Sequence, residues 1–316
     1  MEKPAAAGRG MRDCEGCMLD REEFIEQAHF FRGFAGRVAE GAAAQTALRQ
    51  IADEVLATTK LPLAIDYLVS ELKMVGTLST AMTRLAHYFT PFQTFVIAAA
   101  EQEGGRFDMR IALAILEREA GYRADGASPQ GLFFYRFECL SRNRLDYTRG
   151  LTAIADDPVF DESWRDWIAA VARQVGFVDL ADMVYVRSEE FWRLEARQTA
   201  AAGKAPGTPD RPVLFGQREG RIARANRGKD PLHFFAALQR QLGYPPVPRP
   251  ERPRPPEESP ALLARRLERL EMRVKLLEEE ARGGIDLSRF DPKQFQGPSG
   301  PGSPRPSAEG PAAPVE

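Results

Sequence analysis

Apolar side chains recur every three or four residues along most of this chain, and the breaks between the runs carry helix caps. Asp20 followed by Glu23 reads as a capping box, after which Phe24, Ala28, Phe31, Ala35 and Val38 hold one face of a helix starting near residue 21. Leu48, Ile51 and Val55 continue the period over 42–56. Leu61, Ile65, Leu68, Leu72 and Val75 carry a third helix, with Pro62 in its first turn and Gly76 as its stop. A fourth run covers 78–89. Thr90-Pro91 supplies an N-cap and first helical residue for 92–103, Gly104-Gly105 end that helix, and 107–121 completes six short helices within 20–125.

Similar signals follow. Ser128-Pro129 opens a helix bearing Phe133, Phe137, Leu140 and Leu145. Asp161 caps another whose Trp164, Trp167, Ile168, Val171 and Val175 form one stripe before Gly176. Residues 183–186 are the strand-like run and are expected to pair with 213–215 as a hairpin. Residues 198–212 read as loop, and Asp230-Pro231 start a helix over 232–242 that Gly243 stops. The expected fold is all-α: a six-helix bundle at 20–125, a second, degenerate helical module at 126–197, and a loop with a short capped helix at 198–244. Pro-rich residues 245–260 read as an extended linker, 261–282 as a coiled coil, and 1–19 and 283–316 as disordered ends.

The two modules look like copies. Phe30-Phe31-Arg32 returns as Phe134-Tyr135-Arg136, Leu48-x-x-Ile51-Ala52-Asp53-Glu54 as Leu151-x-x-Ile154-Ala155-Asp156-Asp157, and Val75-Gly76 as Val175-Gly176, at offsets of 104, 103 and 100 residues. The first module carries Val75-Gly76-Thr77-Leu78-Ser79-x-Ala81-Met82, then Phe89-x-Pro91-Phe92, then Ala99-Ala100-Glu101-x-x-Gly104. That succession resembles the cytoplasmic helical domain of the type II secretion system F family, the inner-membrane platform proteins of type II secretion and type IV pili. The resemblance covers roughly 25–123 and, faintly, 130–195. Ala100 stands where the family has Gly, and the membrane helices that follow each copy in the family have no counterpart here. What the resemblance implies is a duplicated helical bundle used as a docking surface, with secretion or pilus machinery among its partners.

Composition narrows the setting. With 43% hydrophobic and 28% charged residues, the 316-residue chain has the make-up of a soluble globular protein with room for two domains. A net charge of −2 provides no global field to gather nucleic acid or an anionic membrane. No run approaches the roughly 20 apolar residues needed to cross a bilayer, so membrane insertion is not expected. Three cysteines without a pairing framework point to a reducing compartment, and a cytoplasmic location is expected.

Candidate chemistry is sparse. Cys14-x-x-Cys17 has zinc-knuckle spacing but lacks a second ligand pair. Glu22, Glu26 and His29 have the carboxylate-histidine spacing of di-iron bundles, which require a second such motif on a facing helix; a helical metal-binding protein or enzyme built on that row is the alternative reading. Arg218, Arg221, Arg224, Arg227 and Lys229 recur about every three residues and are the one local feature that points to nucleic acid. Ser128 between Gly126 and Gly131 is explained as a cap. No phosphate loop or dinucleotide fingerprint is present, and no cofactor is expected.

The clearest interaction signal is a seam at Leu263, Leu267, Leu270, Val274, Leu277 and Ala281, spaced 4, 3, 4, 3, 4. With Leu267 and Val274 at a and Leu270 and Leu277 at d, Arg266 and Arg273 occupy g while Glu271 and Glu278 occupy e. In a parallel assembly each g arginine faces a partner's e glutamate. Dimer and trimer both fit the pattern, and a helix laid back on the body competes with them. Ile285, Leu287, Phe290 and Phe295 stand apart in the polar tail as a docking peptide. The expected function is a non-catalytic scaffold or adaptor that binds itself and other proteins.

Overall fold

The computed structural model describes residues 19–102, 107–201, 211–250 and 260–281. It is all-α, with fourteen helices and no strand among the described residues. The chain divides into two compact units, Met1–Pro250 and Glu251–Glu316.

The first unit begins with α1 (Arg21–Ala39), α2 (Ala44–Ala52), α3 (Leu61–Val75), α4 (Leu78–Arg84), α5 (Pro91–Glu101) and α6 (Met109–Ala124). α1 lies along α6 and against α2, and packing then runs α2 on α3, α3 on α4, α4 on α5 and α5 on α6. Local chemistry sets the joints. Gly76 closes α3 at φ +80°, a left-handed conformation that costs glycine little. Thr90 and Gln93 form a reciprocal capping box at the start of α5. Beneath these joints Phe30, Phe31, Phe34, Phe89 and Phe92 are buried together.

The capping box expected at Asp20 does not form, since Asp20 makes no side-chain cap. The Glu23 carboxylate instead accepts the Lys60 N–H at 2.7 Å and the Tyr88 hydroxyl at 3.0 Å, and Glu26 accepts the Leu56 N–H at 3.0 Å. Buried at these positions, the carboxylates satisfy the 56–60 turn and the start of α3, whose N–H groups lack helical partners.

The chain continues through α7 (Pro129–Asn143), α8 (Tyr147–Ala155), α9 (Glu162–Gln174), α10 (Leu180–Val186), α11 (Glu189–Ala201), α12 (Gln217–Ala225) and α13 (Pro231–Leu242). α7 packs on α8 and α13, α8 on α9, α10 on α12, and α12 on α13. α11 packs against α10 and α12. Ser128, Asp161 and Asp230 all cap as their sequence positions indicate. Edge-to-face pairs, among them Phe133–Trp167 at 4.8 Å and Trp167–Phe215 at 5.0 Å, tie α7, α9 and the segment before α12, each worth about 0.5–1.5 kcal/mol beyond area burial.

The hairpin expected at 183–186 is a helix. Asp179 accepts the Ala181 N–H at 3.0 Å, and Ala181, Val184 and Tyr185 are buried at helical spacing, so the cap and the apolar face outweigh the β-branched content of the run. Residues 213–215 are bridged instead to the residues just after that run: Glu189 N–H donates to the Phe215 carbonyl and Leu214 N–H to the Arg187 carbonyl, both at 2.9 Å. Residues 198–212 begin inside α11, and α12 occupies a region read only as an arginine stripe.

Residues 245–250, expected as the start of an extended linker, join Tyr244 in strapping the body. Tyr244 donates to Glu138 at 2.9 Å, Arg118 to the Pro246 carbonyl, and Asn143 to the Pro248 carbonyl at 3.1 Å. Proline has no N–H, so beyond the Tyr244 hydroxyl the strap is held through the carbonyls of Pro246 and Pro248.

The halves meet where α5 packs on α8 and α6 on α7. At that joint Arg136 is fully buried, its Nη2 donating to Glu119 and Asp157 at 2.6 Å each, and its guanidinium lies 4.8 Å from the Phe92 ring centroid. Arg123 donates to the same two carboxylates. Two cations therefore face two anions. Burial alone would raise the Asp157 carboxyl, but Arg136 and Arg123 outweigh it and hold the group well below the usual carboxylate range. A depressed folded-state pKa contributes stability that is complete above the unfolded value of about 3.9 and is lost as pH falls through the folded value. The stability gap between the native chain and Asp157→Asn should thus be widest above about pH 4 and narrow progressively as pH falls from there toward the folded value. Urea unfolding at pH 7 and pH 3 measures this; an equal gap at both would contradict it.

Candidate self-association site

α14 (Pro260–Ala281) lies in the second unit. Strong helix formers fill it, with no glycine and proline only at its first position, so a continuous helix of about 33 Å follows from its 22 residues. Leu267, Leu270, Val274 and Leu277 are exposed by 57, 54, 51 and 62%. They lie on the a and d positions, so the apolar stripe faces solvent along the helix. Glu271, Arg273 and Glu278 are exposed beside it. Leu263, Arg266 and Ala281 hold their register positions on the helix, but their side chains lie outside what the structure describes. Met272 is exposed on the opposite face, at f. The docking peptide at Ile285, Leu287, Phe290 and Phe295 lies outside the described residues, as do Cys14 and Cys17.

The other predicted constellations come apart. Glu26 turns inward to the 56–60 turn, while Glu22 and His29 are exposed, so the row does not converge. Among the described residues no group of three or more His, Cys, Asp or Glu side chains is placed to hold a metal ion. In the arginine stripe, Arg221 pairs with Glu190 at 3.6 Å, and Arg227 pairs with Asp182 while lying 4.4 Å from the Tyr185 ring centroid. Arg218, Arg224 and Lys229 are exposed. Ser128 Oγ accepts the Gly131 N–H at 3.1 Å, which is its capping role. Cys139 is buried, and burial, with the nearby Glu119 charge, pushes its thiol well up, away from a nucleophilic thiolate.

The Arg136 joint has no signature in the sequence. Its carboxylates lie 17 and 21 residues away, in different helix contexts, and only Arg136 at the repeated Phe-Phe/Tyr-Arg position gave a hint. No helix among the described residues is long and apolar enough to cross a membrane. No family model, curated protein or solved structure matches the chain.

Proposed function

We propose that this chain is a non-catalytic scaffold that self-associates through α14 and presents its helical body to other proteins. The observation that carries this reading is the open apolar stripe of α14, flanked by e and g charges of opposite sign. Apolar stripes of that width gain free energy by burial, and the parallel pairing of Arg273 with a partner's Glu278 sets the direction. Several groups that could invite a catalytic reading are engaged elsewhere: Glu26 in holding the 56–60 turn, Ser128 in capping, Cys139 in the core.

The body itself is read as a tandem copy. The packing of α1 on α6 and α2, α2 on α3, α4 on α5 and α5 on α6 has counterparts in α7 on α13 and α8, α8 on α9, α10 on α12 and α12 on α13, with α11 inserted; the α3–α4 contact has no counterpart between α9 and α10. The residues preceding α5 and α12 include Phe89 and Phe215, both buried, and Asp108 and Asp230 cap the last helix of each set. The secretion-family motif also acquires a physical reason. Glu101 accepts the N–H groups of Leu78 at 2.5 Å and Ser79 at 3.0 Å, so the Ala100-Glu101 signal caps the helix of the Gly76-Thr77-Leu78-Ser79 signal. In the second set Asp179, at the start of α10, accepts the N–H of Gly228, just beyond α12, at 2.8 Å. These ties support membership of a secretion or pilus assembly as the setting.

Parallel, in-register association makes a specific demand. In a chain with Cys14→Ser and Cys17→Ser, Val274→Cys at an a position should crosslink to its own counterpart on mild oxidation, while Met272→Cys at f should not. Equal crosslinking of both, or of neither, contradicts the proposed assembly.

A further inference from the structure

We infer that a cleft at the junction of α5, α7 and α8 binds a small organic monoanion with an apolar body. The cleft holds about 480 Å³, within the range of pre-formed ligand sites. Its apolar lining is Phe95, Ala99, Phe107 and Leu145, three of them buried enough to count as core. Its polar lining is dominated by cations. Arg142 is neutralised by Glu138, but Arg144 and Arg149 are exposed and form no ion pair among the described residues. One carboxylate, Asp146, opposes these two guanidiniums, and it also accepts the Arg149 backbone N–H at 3.0 Å to cap α8. Among the described residues the cleft therefore offers a single net positive charge beside an apolar floor. A carboxylate on a hydrocarbon body satisfies both, the guanidinium fork matching its two oxygens.

The site is also built rather than incidental. Pro250, the end of the strap, forms one wall, and the Asn143 amide holds that strap by donating to the Pro248 carbonyl at 3.1 Å. Arg144 ends α7 in the left-handed region at φ +55°, the one non-glycine residue at positive φ among the described residues. Asn or Gly would take that backbone with less strain, yet the position carries a guanidinium that lines the cleft.

Titration of the full chain with octanoate, 1-octanol and inorganic phosphate, followed by calorimetry, tests the inference. Octanoate should bind saturably at one per chain, with 1-octanol and phosphate each at least ten-fold weaker. Arg144→Gln with Arg149→Gln should weaken octanoate at least ten-fold, and Ala99→Leu should abolish binding by filling the floor, both without a change in melting temperature. Unsaturable octanoate binding, equal binding by the double variant, or phosphate binding as tight as octanoate would overturn it. Octyl phosphate, largely a dianion near neutral pH, should bind no more tightly than octanoate, and tighter binding would overturn the monoanion assignment.

Discussion

Arg136→Met should destabilise the body by about 3–5 kcal/mol, the usual cost of removing one partner from a buried ion network. The side chain is fully buried between Glu119 and Asp157, and its loss leaves two buried carboxylates sharing Arg123. Methionine fills much of the volume but donates no hydrogen bond. Removing a carboxylate as well should reverse most of the effect: Glu119→Leu with Arg136→Met leaves Arg123 and Asp157 paired and no net charge at the joint. Urea unfolding separates the outcomes. A single variant within 1 kcal/mol of the native chain, or a double variant worse than the single, would show that the joint is not organised by charge balance.

Leu270→Glu with Leu277→Glu should dissolve the assembly while leaving the body's melting temperature unchanged. Both are d residues and both are more than half exposed in the single chain. In a dimer four leucines would be returned to water, at about 1.5 kcal/mol or more each, which a micromolar association of about 8 kcal/mol could not survive. The new carboxylates would also face each other across the seam. Because a helix of about three heptads is marginal by itself, helicity from α14 should fall too. Circular dichroism across a dilution series detects this as a signal that depends on concentration in the native chain and not in the variant. A variant with undiminished, concentration-dependent helicity would contradict the seam.

Much of the architecture was legible because its determinants are local. Thr90, Ser128, Asp161 and Asp230 cap within three residues of themselves, and Gly76, Gly176 and Gly243 stop helices through backbone conformations that glycine adopts readily. What misled was tertiary. Glu23 has capping-box spacing, but turns and a tyrosine brought from 37 and 65 residues away claim its carboxylate. α10 is only seven residues long, so its β-branched content mimicked a strand until burial of Ala181, Val184 and Tyr185 on one face decided it. α12 hid behind its arginines, and its Gly220 weakened the helical signal. The structure gives that glycine a reason: a Cβ there would lie 2.7 Å from the Cβ of Ser188, where α12 closes on the start of α11. The strap lies partly in the 245–260 run whose proline-rich composition predicts an extended linker, because composition records stiffness and not the carbonyl acceptors that bind it. The exposed apolar stripe of α14 was legible as a pattern, since heptad spacing is a property of the helix alone.

Light scattering on the full chain and on a chain ended at Pro250 tests the central claim most directly. Self-association through α14 predicts a mass of two or three times 35.2 kDa for the full chain and a single-chain mass for the shorter one. A full chain that stays at single-chain mass at tens of micromolar, or a shorter chain that assembles equally well, would contradict it.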